Sequence, residues 1–160
     1  MKYVAVAVFL IPALYIYREY SKRKRARLCE CLAFLSFIRH AKLQLSCYLR
    51  PVKELADGFE NSILEKIGFL EKIRKGDTLT SAYKECCSCI SVGKEESDIL
   101  LNLFSHIGDG YAEQSLELIE SAVAELESIS DELKSEVPRS IKLALTLTAT
   151  ATAGLFILVM

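Results

Sequence analysis

Apolar residues recur every three or four positions through the middle of the chain, which is the spacing of one face of a helix. The stretch from Ala112 to Val137 shows this best, because its core positions alternate in steps of four and three, the period of helices packed side by side. The middle region has no strand-like alternation, so we predict an all-α fold. The core positions expected in that last stretch are Ala112, Leu116, Ile119, Val123, Leu126, Ser130, Leu133 and Val137.

Proline, glycine and capping residues divide this middle region into a predicted bundle of five to six helices. Proline disfavours helix in the residue before it, glycine commonly ends helices, and Asn, Asp and Thr cap first turns. The first expected helix begins at Leu28 and ends before Pro51, and the second spans 51–57 and ends at Gly58. The third runs from the Asn61 cap to Gly76, and the fourth runs from Asp77 or Thr78 to Gly93. The fifth carries Ile99 to Ile107 and ends at Gly108-Asp109-Gly110, and the sixth runs from Ala112 to a hinge at Pro138.

Two uncharged apolar runs stand at the ends of the sequence, 15 residues from Tyr3 to Tyr17 and 18 residues from Leu143 to Met160. About 20 apolar residues cross a bilayer as a helix, and flanking Lys or Arg side chains can complete a shorter run by reaching the head groups. The basic cluster follows the first run, which is the reverse of a cleaved signal peptide. We therefore expect an uncleaved N-terminal transmembrane anchor at 1–20, a helical bundle at 21–138 and a C-terminal transmembrane helix at 139–160.

The net charge is only −1, yet the basic residues are concentrated beside the two apolar runs. Lys and Arg close to a span are retained in the cytoplasm, so we expect a cytoplasmic bundle with both termini outside. Binding to anionic lipid explains the cluster better than binding to nucleic acid, because no aromatic residues are interleaved. The membrane-flanking basic residues are Arg18, Lys22, Arg23, Lys24, Arg25, Arg27, Arg139 and Lys142.

The six cysteines are the first candidates for chemistry. Thiolates bind zinc, but Cys86, Cys87 and Cys89 lie inside a helical pattern rather than on the tight turn of a zinc knuckle. We expect Cys86 and Cys89 to share a core face with Leu79 and Tyr83, and the reduced thiols to act as small apolar groups.

The two histidines, His40 and His106, are the candidates for general bases. Neither stands beside a nucleophile in a local motif, so we expect a solvent-facing or capping role for each. The sequence thus predicts no catalytic residue, no metal, no cofactor and no small-molecule substrate, and we expect that the protein is not an enzyme.

The remaining faces of the last predicted helix are acidic, with eight acidic residues and one basic residue between Tyr111 and Glu136. Most such faces are simply solvated, and the functional alternative is docking to a basic surface of a partner protein. The candidate partner-binding residues are Glu113, Glu117, Glu120, Glu127 and Asp131.

Two stretches of the chain carry a likeness to a known family. The first, Gly76-Asp77-Thr78-Leu79-Thr80-Ser81-Ala82-Tyr83, is a turn followed by a small-residue helix start and an Ala-aromatic pair. The second is Leu103-Phe104-Ser105-His106-Ile107-Gly108-Asp109-Gly110, with Gln114 downstream, before the long acidic helix. With these stretches between two anchors, the chain resembles the stage III sporulation protein AB family of endospore-forming bacteria.

The resemblance implies a bundle similar to the platform protein of type II secretion and type IV pilus machines. Such a protein sits in the mother-cell membrane, contacts the stage III sporulation AA-type ATPase and other membrane subunits, and helps to assemble the channel between mother cell and forespore. The alternative is a stand-alone membrane adaptor or sensor whose helical domain binds a ligand or a protein.

Overall fold

The structure, a computed structural model, describes residues 2–48, 54–107 and 112–159. Six α-helices and one short 3-10 helix occur among these residues, and they contain no strand, so the predicted all-α class is confirmed. The segment predicted to be an anchor and the first predicted bundle helix form one helix, α1, which begins at Lys2. The helices are α1 Lys2–Tyr48, α2 Ser62–Lys66, α3 Phe69–Arg74, α4 Leu79–Cys86, the 3-10 helix Cys87–Cys89, α5 Lys94–His106 and α6 Ala112–Val159.

The chain divides into two compact units. Residues 27–131 form what we call the bundle unit, which contains α2 to α5 together with parts of α1 and α6. Residues 1–26 and 132–160 form the terminal unit.

The core of the bundle unit is centred on aromatic side chains from four helices. Phe34 on α1 lies edge to face with Phe69 of α3 at a centroid distance of 5.3 Å and with Tyr83 of α4 at 5.4 Å. One turn along α1, Phe37 lies 5.4 Å from Phe69 and 6.5 Å from Phe104 of α5. Edge-to-face pairs each contribute about 0.5–1.5 kcal/mol beyond area burial. These rings therefore join α1, α3, α4 and α5.

The segment expected to form one helix after Asn61 is two helices. Asn61 caps α2 as predicted, because its side-chain oxygen accepts the amide hydrogens of Ile63 and Leu64. Gly68 then adopts φ +80°, a left-handed conformation that glycine takes at little cost, and α3 begins in a new direction. The helix predicted at 51–57 is wrong at 55–57, which form a turn together with Gly58 at φ +72°, whereas Glu54 is in 3-10 helical conformation. Residues 51–53 lie outside the described part of the chain.

The predicted core face of α4 is confirmed in its first four positions. Thr78 caps the helix through its hydroxyl, and Leu79, Ala82, Tyr83 and Cys86 are all buried. The prediction that Cys89 shares this face is wrong. A 3-10 helix follows Cys86, and its tighter winding turns Cys89 to the surface.

Helix α6 buries most of the predicted core positions, including Ile119, Leu126 and Ser130. The hinge expected at Pro138 is wrong, because Pro138 lies inside α6, which continues to Val159. A proline removes one hydrogen bond of the helix, and the intact turns on both sides keep the helix continuous here. The break expected at 108–110 lies outside the described residues.

In the terminal unit, Lys24 of α1 and Glu136 of α6 form an ion pair of 3.9 Å, and Leu133 and Val137 are buried. The described apolar side chains of the two end runs are largely exposed: Tyr15, Ile16, Leu143, Leu145 and Leu147. Over the described residues, no helix is both long and apolar enough to span a membrane. The expected spans include side chains at 3–14 and 155–160 that lie outside the described part.

The buried face of α1 can be tested with the same substitution at two positions. Leu35 is 3% exposed and Leu43 is 59% exposed. Because truncation of a buried leucine leaves a cavity, we expect Leu35→Ala to lower the free energy of unfolding by about 2–5 kcal/mol, and Leu43→Ala to change it by less than about 0.5 kcal/mol. Urea unfolding of the full chain in detergent, followed by circular dichroism, measures both. Equal losses would contradict this core face.

Candidate functional site

A buried ion pair joins α1 to the first turn of α5. Arg27 donates from Nε to Glu96 Oε1 at 2.7 Å and from Nη2 to Glu96 Oε2 at 2.9 Å. The Glu96 side chain is 0% exposed and that of Arg27 is 29% exposed. The guanidinium fork matches both carboxylate oxygens, and the N-terminus of α5 also favours a negative charge at this position. Arg27, predicted to flank the membrane, thus lies inside the bundle unit, where its charge neutralises Glu96.

Gly93 leaves the space that this ion pair occupies. It is the N-cap residue of α5, with an ordinary φ of −71°. A Cβ atom at this position would stand 2.5 Å from Arg27 Nη2 and 2.7 Å from Arg27 Cζ, and it would also overlap the Glu96 carboxylate. The reason for glycine here is therefore space for the ion pair and not backbone strain.

Glu30 holds the link between the 3-10 helix and α5 against α1. Its Oε2 accepts the backbone N–H of Ser91 at 2.5 Å, and only 8% of the residue is exposed. Burial raises the pKa of Glu30 above its usual range, and hydrogen bonds from the amides of Ser91 and Val92 oppose the rise. The carboxylate thus satisfies backbone donors that no helix uses.

Tyr83 places a phenol in the same region of the bundle unit. Burial raises the pKa of Tyr83 to about 12, with the neighbouring Ser97 hydroxyl opposing the rise and the charges of Glu96 and Glu30 adding to it. The phenol is therefore neutral at physiological pH. We call Arg27, Glu30 and Glu96 the charged cluster. Its hydrogen bonds connect α1 with α5 and with the link that precedes α5.

The cysteines with described side chains differ in burial, and Cys87 is half-buried. Cys31 and Cys86 are buried, and Cys86 donates its S–H to the Ile67 carbonyl at 3.3 Å. Burial raises the pKa of Cys86, which disfavours the thiolate that would bind a metal. Cys29 and Cys89 are exposed. Among the described residues, no group of three or more His, Cys, Asp or Glu could hold a metal ion.

The histidines lie in structural positions. His106 is exposed in the last turn of α5, where its Nδ1 lies 2.8 Å from the Asn102 carbonyl, as expected of a capping role. His40 is half-buried, with its ring centroid 5.1 Å from that of Phe59.

The acidic positions of α6 predicted to bind a partner lie on different faces. Glu120 pairs with Lys42 of α1 at 2.8 Å, and Glu127 pairs with Arg39 of α1 at 2.6 Å. Both therefore have a counter-charge within the chain. Glu117 and Asp131 are exposed, and the Glu113 side chain lies outside the described part.

A groove between α5 and α6 was not foreseen from the sequence. It has a volume of about 240 Å³, with apolar side chains from both helices and polar side chains around it. The signal in the sequence was the helical spacing of each set, i, i+4 on α5 and i, i+3, i+4, i+7 on α6, which places each on one face. The lining residues are Asp98, Ile99, Asn102 and Leu103 of α5, and Leu118, Ser121, Ala122 and Glu125 of α6.

The other basic residues predicted to flank the membrane belong to the terminal unit. Arg23 pairs with Glu19 at 3.6 Å, and the ammonium group of Lys24 lies 5.9 Å from the centre of the Tyr20 ring, in addition to its pairing with α6. The remaining five are exposed: Arg18, Lys22, Arg25, Arg139 and Lys142.

Comparison with protein-family models, with curated proteins and with solved structures found no match for this chain.

The buried ion pair can be tested by removing its cation. Arg27→Met leaves the Glu96 carboxylate buried without a counter-charge, so we expect a loss of about 3–5 kcal/mol in the free energy of unfolding. The double variant Arg27→Met/Glu96→Met should recover most of it, because an apolar pair often replaces a buried ion pair at little cost. Urea unfolding measures all variants.

The matched control is Arg39→Met, which removes the cation of a pair whose two side chains are 57% and 44% exposed. An exposed pair contributes about 0–1 kcal/mol, so the control should be mild. A loss for Arg27→Met as small as that of the control would contradict the burial of the Glu96 charge.

Glu30 should make stability depend on pH in a direction set by its raised pKa. The native state holds this proton more tightly than the unfolded state, whose Glu pKa is about 4.3. Stability should therefore fall as the pH rises from that value through the raised folded pKa. Glu30→Gln removes this fall and can still accept the Ser91 amide hydrogen, so the variant should be at least as stable as wild type at neutral pH.

The measurement is the difference in urea midpoint between wild type and Glu30→Gln across the pH range. Glu71→Gln is the control of opposite sign, because Lys75 lowers the pKa of Glu71. Its carboxylate contributes above the unfolded pKa, and that contribution is lost as the pH falls. If wild type instead lost stability relative to Glu30→Gln as the pH falls, as expected for Glu71, burial would not be what sets the pKa of Glu30.

Proposed function

We propose that this chain is a membrane-anchored, non-enzymatic platform subunit that docks a cytoplasmic ATPase and helps to assemble a sporulation channel between mother cell and forespore, as in the stage III sporulation protein AB family. The main support is that α1 and α6 each carry both an apolar run and core residues of the bundle unit. Phe34 and Phe37 lie on the first helix, Ile119 and Leu126 on the second. A membrane that binds the apolar runs would therefore also anchor α1 and α6, two helices of the bundle unit.

Exposed apolar side chains support a membrane environment for the ends. Tyr15 and Ile16 are 69% and 67% exposed, and Leu143, Leu145 and Leu147 are each more than half exposed. Large exposed apolar surface marks a partner or membrane interaction site. Basic side chains follow the first run and precede the second, where they would reach anionic head groups of the cytoplasmic leaflet.

Protein docking is supported by the charged residues on the surface of the bundle unit. Its described carboxylates include exposed ones that form no ion pair with another described residue, Glu117 among them. A basic partner surface would be steered towards such residues. The resemblance to the sporulation family names the partner as the AA-type ATPase.

Association with the ATPase is the test. We expect the full chain to co-purify with an AA-type ATPase from solubilised membranes at about 50 mM salt and to lose it near about 500 mM, because salt screens exposed charges. Glu117→Lys should weaken association with helicity unchanged, while Asp57→Lys, an exposed position before α2, should not. Wild type that fails to associate at low salt would refute the proposal and favour the stand-alone adaptor.

The orientation is checked in the same cells through the exposed thiols of Cys29 and Cys89. A membrane-impermeant maleimide should modify neither in intact cells and both after permeabilisation, with peptide mass spectrometry locating the label. Lys2→Cys should be labelled without permeabilisation. Labelling of Cys29 or Cys89 from outside would contradict the proposal, since a cytosolic ATPase could not then contact the bundle.

A further inference from the structure

The α5–α6 groove has the size of a side-chain site. Its volume of about 240 Å³ is below the roughly 300–1,000 Å³ of pockets that enclose a drug-sized ligand. One long side chain from a docked surface would fill it. Hot spots of protein interfaces are residues that enter such pockets on the partner, and arginine is enriched among them.

The two carboxylates of the groove, Asp98 and Glu125, are both exposed. Over the described residues neither forms an ion pair, whereas Glu120 and Glu127 on another face of α6 are paired with α1. Among the described residues, the one donor to Glu125 is the Ser121 hydroxyl, at 3.1 Å. Glu125 is therefore one of the α6 carboxylates that no described residue neutralises, and it lines the same groove as Asp98.

The apolar part of the groove determines what kind of cation fits. Leu103 and Ala122 are buried core residues, and Ile99 and Leu118 pack against that core. A side chain with an aliphatic stem can cover these atoms while its charged end remains at the polar rim. An inorganic cation would leave the apolar surface uncovered.

Arginine fits this combination better than lysine. Its planar guanidinium has five donors and binds carboxylates through two parallel hydrogen bonds, whereas a lysine ammonium is a compact, strongly hydrated charge. The Asn102 side chain, also exposed at the rim, adds an amide oxygen as a further acceptor.

We propose that the α5–α6 groove is a docking site for an arginine on a basic surface of a partner protein, with the guanidinium between Asp98 and Glu125 and the stem on Leu103, Leu118 and Ala122. The inference rests on the proposed function in that it identifies the surface through which the platform would bind its partner. The groove proposal can fail while the platform function stands, and the platform function can fail while the groove proposal stands.

The probe is a fluorescent, helical Ala/Leu/Gln peptide with one central arginine and a second arginine one turn away. It is titrated onto the full chain in nanodiscs of zwitterionic lipid, and anisotropy is recorded. We expect binding that weakens as salt rises from about 50 to about 500 mM. A lysine peptide should bind more weakly and a glutamine peptide about tenfold more weakly or worse, since the charge-assisted hydrogen bonds are lost.

Asp98→Asn/Glu125→Gln should weaken binding of the arginine peptide by about tenfold or more. The control Glu54→Gln/Asp57→Asn makes the same change in net charge at two exposed residues before α2 and should stay within about twofold of wild type. Equal weakening in both double variants would overturn the proposal, because only net charge would then matter. Dimerisation of wild type that the Asp98/Glu125 variant abolishes would overturn it too, by making a second copy the occupant.

The ATPase co-purification separates this inference from the proposed function. If the ATPase binds wild type and the Asp98/Glu125 variant equally, the groove proposal fails and the platform function stands. If the arginine peptide binds as expected but wild type does not retain the ATPase, the platform function fails and the groove proposal stands.

Discussion

The contact of Phe34 and Phe37 with aromatic rings of α3, α4 and α5 is the interaction on which the bundle unit depends. Helices α2, α3 and α4 have five, six and eight residues. Isolated helices shorter than about 12–15 residues are marginal in water, so these three must draw their stability from tertiary packing. α1 is long enough to provide one continuous surface, and its two phenylalanines, one turn apart, present rings to three different helices. Without that surface, the short helices between α1 and α5 would lose the packing that stabilises them.

The charged cluster restricts the same packing by a different physical effect. Aromatic contacts are less specific than the Arg27–Glu96 pair. If α5 moved by one turn, the Glu96 carboxylate would be buried without its cation. A buried ion pair adds little net stability but strongly disfavours arrangements that separate its partners. Gly93 and Glu30 complete the restriction, the first by leaving room for the guanidinium and the second by holding the Ser91 amide. We infer that the cluster selects one register of α5 on α1.

The acidic residues of α6 serve two purposes that their sequence does not separate. Glu120 and Glu127 face α1, where Lys42 and Arg39 neutralise them, while Glu125 stands at the groove with α5. A charge paired with a neighbouring helix is neutralised within the chain, and a charge left without a counter-ion can attract a partner. The placement within the bundle unit thus separates the α6 carboxylates that are paired with α1 from those, such as Glu117 and Glu125, that form no ion pair with another described residue. The membrane anchors and the ATPase contact stay predictions from the sequence and from the family resemblance.

Local interactions determined what the sequence by itself could predict: the helical class from the apolar period, and the caps from side chains that bind amides two or three residues away. Asn61 was predicted outright, whereas the structure selected Thr78 from the two candidates Asp77 and Thr78. Gly68 is not among the predicted helix ends, and its left-handed φ of +80° separates α2 from α3 in the folded chain. The charged cluster and the groove were decided by tertiary structure alone. Arg27 and Glu96 lie 69 positions apart, and among many charges nothing in a linear pattern says which two will be brought together and buried, because that depends on how distant helices pack.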